Sequence, residues 1–129
     1  MSVILVVDDD SDIRRMLREI LEAAGHEVVE AAHGAAALDL ITPQRLPDLV
    51  VTDLAMPILG GEELIGSLRS TPTTAAIPIV VLSGNAVAAW SLKASGLVEA
   101  VVAKPFAAAA VTACIRDVAS RGSRRPVVA

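Results

Sequence analysis

Short apolar runs rich in β-branched residues recur along this chain at Val3 to Val7, Val28-Val29, Leu49 to Val51, Ile77 to Leu82 and Val98 to Ala103, the last broken only by Glu99. Each is too short for a helix and is stopped by polar or turn residues, so each reads as a strand. The first is polar at neither face, as expected of a strand covered on both sides. Helical patterns fill the intervals. Ser11 is placed to cap a helix in which Ile13, Met16, Leu17, Ile20 and Leu21 repeat at helical spacing until Gly25 closes it. Ala35 to Ile41 is a short Ala-rich helix ended by Thr42-Pro43. Glu62 and Glu63 favour the positive end of the next helix, where Leu64, Ile65 and Leu68 form an inward stripe that ends near Pro72. Ala86 to Ser95 is the least well patterned helix, because Val87, Trp90 and Leu92 make no clean stripe. Val111, Cys114, Ile115 and Val118 mark the last one. Strands that alternate with helices over short connections predict an α/β fold, a doubly wound five-stranded parallel sheet with helices on both faces. At 129 residues the chain is one domain's worth. Residues 1–119 are expected to form it, and residues 120–129, basic and without periodicity, a disordered tail.

Several function classes are excluded early. Aromatic residues make up only 2% against 53% hydrophobic, so the core is aliphatic. The net charge of −4, with Asp8, Asp9 and Asp10 together, argues against a nucleic-acid surface. Cys114 is the only cysteine, which forbids an internal disulfide, suits a reducing compartment and reads as a packed thiol. The amino terminus lacks a basic leader, and no apolar stretch approaches the roughly 20 residues of a membrane span. A soluble cytoplasmic protein without a membrane partner is expected. His26 and His33 have no second ligand at metal-binding spacing and read as surface or loop residues.

What remains is a set of polar residues at strand ends. Parallel strands would deliver Asp8 with Asp9, then Asp53, Ser83 and Lys104, onto one rim, where open α/β sheets place their sites. Pro57 and Gly60-Gly61 hold a loop beside Asp53. Three close carboxylates favour a bound cation, and an all-oxygen site with water ligands suits Mg²⁺. Asp53 would then stay an anion able to attack phosphorus, with Lys104 neutralising phosphoryl oxygens and Ser83 donating a hydrogen bond to one.

Val6-Val7-Asp8-Asp9, Asp48 to Pro57 with Asp53 at its centre, Gly61, Ser83 and Lys104-Pro105-Phe106 stand in an order that resembles the receiver domains of two-component response regulators, of the single-domain, chemotaxis-regulator kind. The likeness runs from Val3 to about Val118. It implies a flavodoxin-like receiver fold and phosphoryl transfer onto Asp53 from a sensor histidine kinase or phosphotransfer protein. It implies a signalling phosphoacceptor that catalyses its own phosphoryl uptake and slow loss, not an enzyme acting on a separate substrate. The same likeness makes Asp9, Asp53 and the backbone carbonyl of Ala55 ligands of Mg²⁺, with Asp8 acting through metal-bound water, and makes the Lys104-Pro105 bond cis. Output would pass from the fourth helix, fifth strand and fifth helix to a downstream protein, with a phosphorylation-dependent dimer allowed. No output domain follows, so the chain is expected to signal by binding or to belong to a longer protein.

Four positions depart from the family pattern. Val101 stands where many receivers carry an aromatic switch, Ala55 and Asn85 alter the phosphoryl surroundings, and Gly60 replaces the acid usual before the loop glycine. Rival readings fit less well. A phosphohydrolase with an aspartyl-phosphate intermediate wants an acid where Ala55 stands and a covering cap. A nucleotide-binding flavodoxin-like protein wants a phosphate loop where Asp8-Asp9-Asp10 would repel phosphate. A degenerate receiver that only pairs with proteins would have no need of both acids, Asp53, Ser83 and Lys104.

Overall fold

Every one of the five apolar runs forms a strand, and all four pairings between neighbouring strands are parallel. The computed structural model describes residues 2–121. In chain order the elements are β1 (Val3–Val7), α1 (Ser11–Ala23), β2 (Glu27–Ala31), α2 (Gly34–Leu40), β3 (Leu49–Asp53), α3 (Gly61–Ser70), β4 (Ile79–Ser83), α4 (Ala86–Ala94), β5 (Ala100–Ala103) and α5 (Ala108–Arg121). The sheet order is β2-β1-β3-β4-β5. Chain direction across the sheet reverses between β1 and β3, which makes their carboxyl ends the switch point.

Alternate residues of each strand feed two cores, as the two-residue period of a strand requires. On one face Leu5, Val7, Val50, Ile79 and Val81 pack with Ala37, Leu64, Ile65, Leu68 and Ala89 of α2, α3 and α4. On the other, Ile4, Val6, Val51, Val80 and Leu82 meet Leu17 and Leu21 of α1 and Val111, Ile115 and Val118 of α5. Cys114 is half-buried beside this second core, and burial, then Asp117, pushes its thiol pKa up, so it is a packed thiol. Among the described residues, no helix is long and apolar enough to cross a membrane.

Boundaries differ from the sequence reading for identifiable reasons. The N-cap of α1 is Asp10, not Ser11: its carboxylate accepts from the Asp12 and Ile13 N–H groups. Gly25, at φ 93°, turns the chain out of α1 as expected. His33 caps α2 through Nδ1, which accepts from the Ala36 N–H, so α2 starts at Gly34. β4 starts at Ile79 because Pro78 has no N–H, although the Pro78 carbonyl still accepts from Val50. Glu99 lies outside β5 altogether. Helix α5 continues to Arg121, past the boundary placed at 119, and the rest of the expected tail lies outside the described residues.

One residue carries backbone strain. Ile58, in the loop after β3, has φ 67° and a largely exposed side chain. The left-handed region costs an L-residue about 1–2 kcal/mol, and glycine gives back about 0.5–1 kcal/mol through its freer unfolded chain. Ile58→Gly is therefore expected to stabilise the fold by up to about 1 kcal/mol, seen as a higher urea midpoint. A lower midpoint would count against strain at this position.

Candidate functional site

Register brings the acids together. Val7 pairs with Thr52, so the next residues, Asp8 and Asp53, leave the sheet side by side. Ligand atoms of the Asp8, Asp9 and Asp53 carboxylates lie within 4.8 Å of one another. Asp8 is buried, Asp53 partly buried and Asp9 exposed. Asp10, the third acid of the run, is turned away into its capping role and takes no part in the cluster.

Lys104, at the end of β5, reaches across to this cluster. Its Nζ stands 2.8 Å from Asp8 Oδ2 and 3.2 Å from Asp53 Oδ2. Burial pulls the ammonium pKa down, but hydrogen bonds and charge from Asp8, then Asp53, outweigh it and leave the pKa raised. Any stability linked to this shift is present in full below the unfolded lysine pKa of about 10.4 and is lost as pH rises through the higher folded value. The lysine thus already offsets part of the charge that the sequence reading left to a metal alone.

Each polar atom of Asp8 is held. Its N–H donates to the Ala31 carbonyl at 3.2 Å, and its Oδ1 accepts from the Asp10 N–H at 2.9 Å. Its carbonyl accepts from Arg14 Nη1 at 2.7 Å, while Arg14 Nε pairs with Glu30 Oε1 at 3.2 Å. Arg14 escaped the sequence reading because its significance depends on β2 bringing Glu30 beside α1. Asp53 Oδ1 accepts from the N–H of Leu54 at 2.8 Å, which leaves Oδ2 toward Lys104. Gly61 presses on the backbone here: a Cβ at that position would lie 2.1 Å from the Asp53 carbonyl oxygen. Only glycine permits that approach.

Asp53 pairs with Leu82, so Ser83 emerges one residue further along the neighbouring strand. Its hydroxyl accepts from the Asn85 N–H at 2.9 Å, and Asn85 Oδ1 caps α4 through the Ala88 N–H at 3.2 Å. Ser83 is therefore one residue pair away from the start of α4. The Ser83 carbonyl accepts from the Lys104 N–H at 3.0 Å, which ties the ends of β4 and β5. The Lys104-Pro105 peptide is cis, as the resemblance implied. Ala55 lies on the exposed loop two residues beyond Asp53, and Val101 packs partly buried against the first core.

Beside Lys104 a shallow recess of about 350 Å³ is lined by Ile13, Met16, Pro105 and Phe106. Another, of about 250 Å³ and including Val3, Leu40, Arg45 and Leu46, lies near the strands' amino ends, remote from the acids.

Residues 4–116 match the family model described as the response regulator receiver domain. The chain belongs to the response regulator receiver family. A chemotaxis protein CheY homolog of Campylobacter jejuni is 35% identical over 124 residues, covering 93% of this chain and 94% of that one. A putative response regulator from Chloroflexus aurantiacus superposes with a TM-score of 0.85 at 32% identity, over 93% of this chain and 98% of that chain. The response regulator TrrA of Thermotoga maritima, solved in complex with Mg²⁺ and BeF, gives 0.80 at 30% identity over 92% and 99%. The receiver's sheet and helices are thus those expected from the alternation of short runs.

Proposed function

We propose that this receiver is a phosphoacceptor switch in which Asp53 takes a phosphoryl group from a phosphohistidine of a sensor kinase or phosphotransfer protein. The observation that carries the reading is the convergence of Asp53, two further carboxylates and Lys104 at the switch point of the sheet. Asp53 Oδ attacks phosphorus while the P–N bond to the donor imidazole breaks. The bonding pair remains on the imidazole, which takes up a proton from solvent. Lys104 turns from Asp53 to a phosphoryl oxygen, and the Ser83 hydroxyl turns from Asn85 to donate to another.

The donor set suits Mg²⁺, a hard cation that keeps several waters: three carboxylates close together, no nitrogen or sulfur among them, one exposed. Asp9 and Asp53 would hold it directly, with the Ala55 carbonyl, and Asp8 through water. Bound there, the ion would supply charge compensation for the phosphoryl oxygens. The apolar recess between α1 and Phe106 offers a donor protein a foothold beside Lys104. This reading places the protein in the cytoplasm, a reducing compartment that its single cysteine suits. Incubation with a small phosphodonor and Mg²⁺, followed by intact mass and peptide mapping, should add one phosphoryl group at Asp53. Label on another residue, or none with the folded protein, would overturn the assignment.

Readout follows from the bond between Ser83 and Asn85. Drawing the Ser83 hydroxyl to the phosphoryl group removes the acceptor of the Asn85 N–H, at the residue that caps α4. Among the described helices, α4 is a weakly anchored one, with Ala89 its single buried residue, so two arrangements a few kcal/mol apart are accessible to it. Trp90 is exposed on α4 with the Lys93 ammonium 4.9 Å from its ring centroid. Beryllium fluoride with Mg²⁺ is expected to change Trp90 emission in the parent and much less in Ser83→Ala. An equal response in both proteins at saturation would show that Ser83 is not the coupling.

A further inference from the structure

We infer that Arg14 is a positioning residue that holds the Asp8–Asp9 peptide in the orientation a divalent cation requires, an inference that rests on the carboxylate cluster being an Mg²⁺ site. The Asp8 carbonyl and the Asp9 N–H belong to one planar unit, so fixing that carbonyl fixes the plane from which the Asp9 side chain departs. Arg14 Nη1 does so at 2.7 Å, a short, charge-assisted contact. The guanidinium is itself braced from behind. Glu30 on β2 accepts Arg14 Nε at 3.2 Å with one oxygen and Arg18 Nε at 2.7 Å with the other. Both Glu30 oxygens are thus engaged, one by each arginine. In space the contacts run from Arg18 to Glu30 to Arg14 to the Asp8 carbonyl, a relay from the surface of α1 into the site.

Asp9 has most need of such support. Asp8 is gripped by Lys104 and the Asp10 N–H, and Asp53 by the Leu54 N–H and Lys104. Asp9 is exposed and stands on the loop between β1 and α1. Its direction is set chiefly by the backbone that carries it. Outer partners of metal ligands commonly change affinity about 10–100-fold when removed.

Positioning and charge pull in opposite directions at Arg14, which makes the role testable. A cation near the cluster repels Mg²⁺, so if Arg14 acted only through its field, Arg14→Gln would bind Mg²⁺ more tightly. If it holds the peptide, Arg14→Gln binds Mg²⁺ about tenfold more weakly. Calorimetric titration of the folded, unphosphorylated protein with MgCl₂ measures this without any phosphodonor. Arg18→Gln removes an equal charge from the same Glu30 without touching Asp8, and it should stay within about threefold of the parent. Arg14→Lys keeps the charge but loses the planar fork that serves Glu30 and the Asp8 carbonyl together, and it should weaken binding in the same direction. Affinity equal to or tighter than the parent in Arg14→Gln and Arg14→Lys would overturn the inference, as would an equal weakening in Arg18→Gln. Asp53→Asn separates the two levels. If it binds Mg²⁺ as the parent does, or the parent binds none, the metal-site reading fails, and the role of Arg14 with it. If Asp53→Asn loses binding while the Arg14 variants keep it, only the role of Arg14 fails.

Discussion

Asp53→Asn is expected to take up no phosphoryl group from a small phosphodonor and Mg²⁺, under conditions that label the parent to completion. An amide has nearly the shape of the carboxylate but neither its nucleophilicity nor its charge for a hard cation. The fold should survive the change. The amide oxygen that takes the place of Asp53 Oδ1 can still accept from the Leu54 N–H, a bond of 2.8 Å in the parent, and Lys104 keeps Asp8 at 2.8 Å. The lost Lys104 contact at 3.2 Å is offset by relief of repulsion among Asp8, Asp9 and position 53. Unfolding free energy should therefore move by no more than about 1 kcal/mol. Undiminished labelling would remove Asp53 from the reaction, and a loss of several kcal/mol would mean that its charge is structural.

Much of this site was legible because its residues sit where the sequence pattern changes. Asp8, Asp53, Ser83 and Lys104 each close an apolar run, so locating the runs located the rim. Parallel pairing followed from the helices between the runs, and the observed register delivers it. The ends of elements were less accessible. Asp10 and Ser11 are both good caps, and what decides for Asp10 is that its carboxylate reaches the Asp12 and Ile13 N–H groups. Glu99 looked like a break in a strand, since a window of sequence carries no sign of Arg69, which lies thirty positions away. Arg14 was hidden for the same reason, because only folding brings α1 and Glu30 together. Apolar periodicity is local information, whereas the partners of a charged side chain are set by topology.

Arg69→Ala is expected to be the most destabilising of the changes considered, with the phosphoryl chemistry left intact. Arg69 and Glu99 pair with side chains only 10% and 15% exposed. The guanidinium joins the end of α3 to the loops before β4 and β5. Its Nε donates to the Leu97 carbonyl at 2.9 Å, its Nη1 to Ala75 at 3.0 Å and Ile77 at 2.6 Å, and its Nη2 to both Glu99 oxygens at 3.2 Å. Glu99 in turn accepts the Ile79 N–H, the first of β4, at 2.7 Å. Truncating the arginine leaves a nearly buried carboxylate without this cation and takes a charged donor from three carbonyls. Breaking such a pair costs about 3–5 kcal/mol, far more than an exposed ion pair is worth. Glu99→Gln should cost less, since the amide oxygen can still accept from Ile79. The network stands at the amino ends of the strands, a five-residue strand or about 17 Å from the acids. Below the variant's melting range, the rate of Asp53 labelling should therefore stay within about twofold of the parent, because distant sites act independently. Urea unfolding and labelling of the same preparation test both halves. A stability loss under about 1 kcal/mol would place the pair among surface bridges of little worth, and a large fall in labelling rate would show that the two ends of the sheet are coupled.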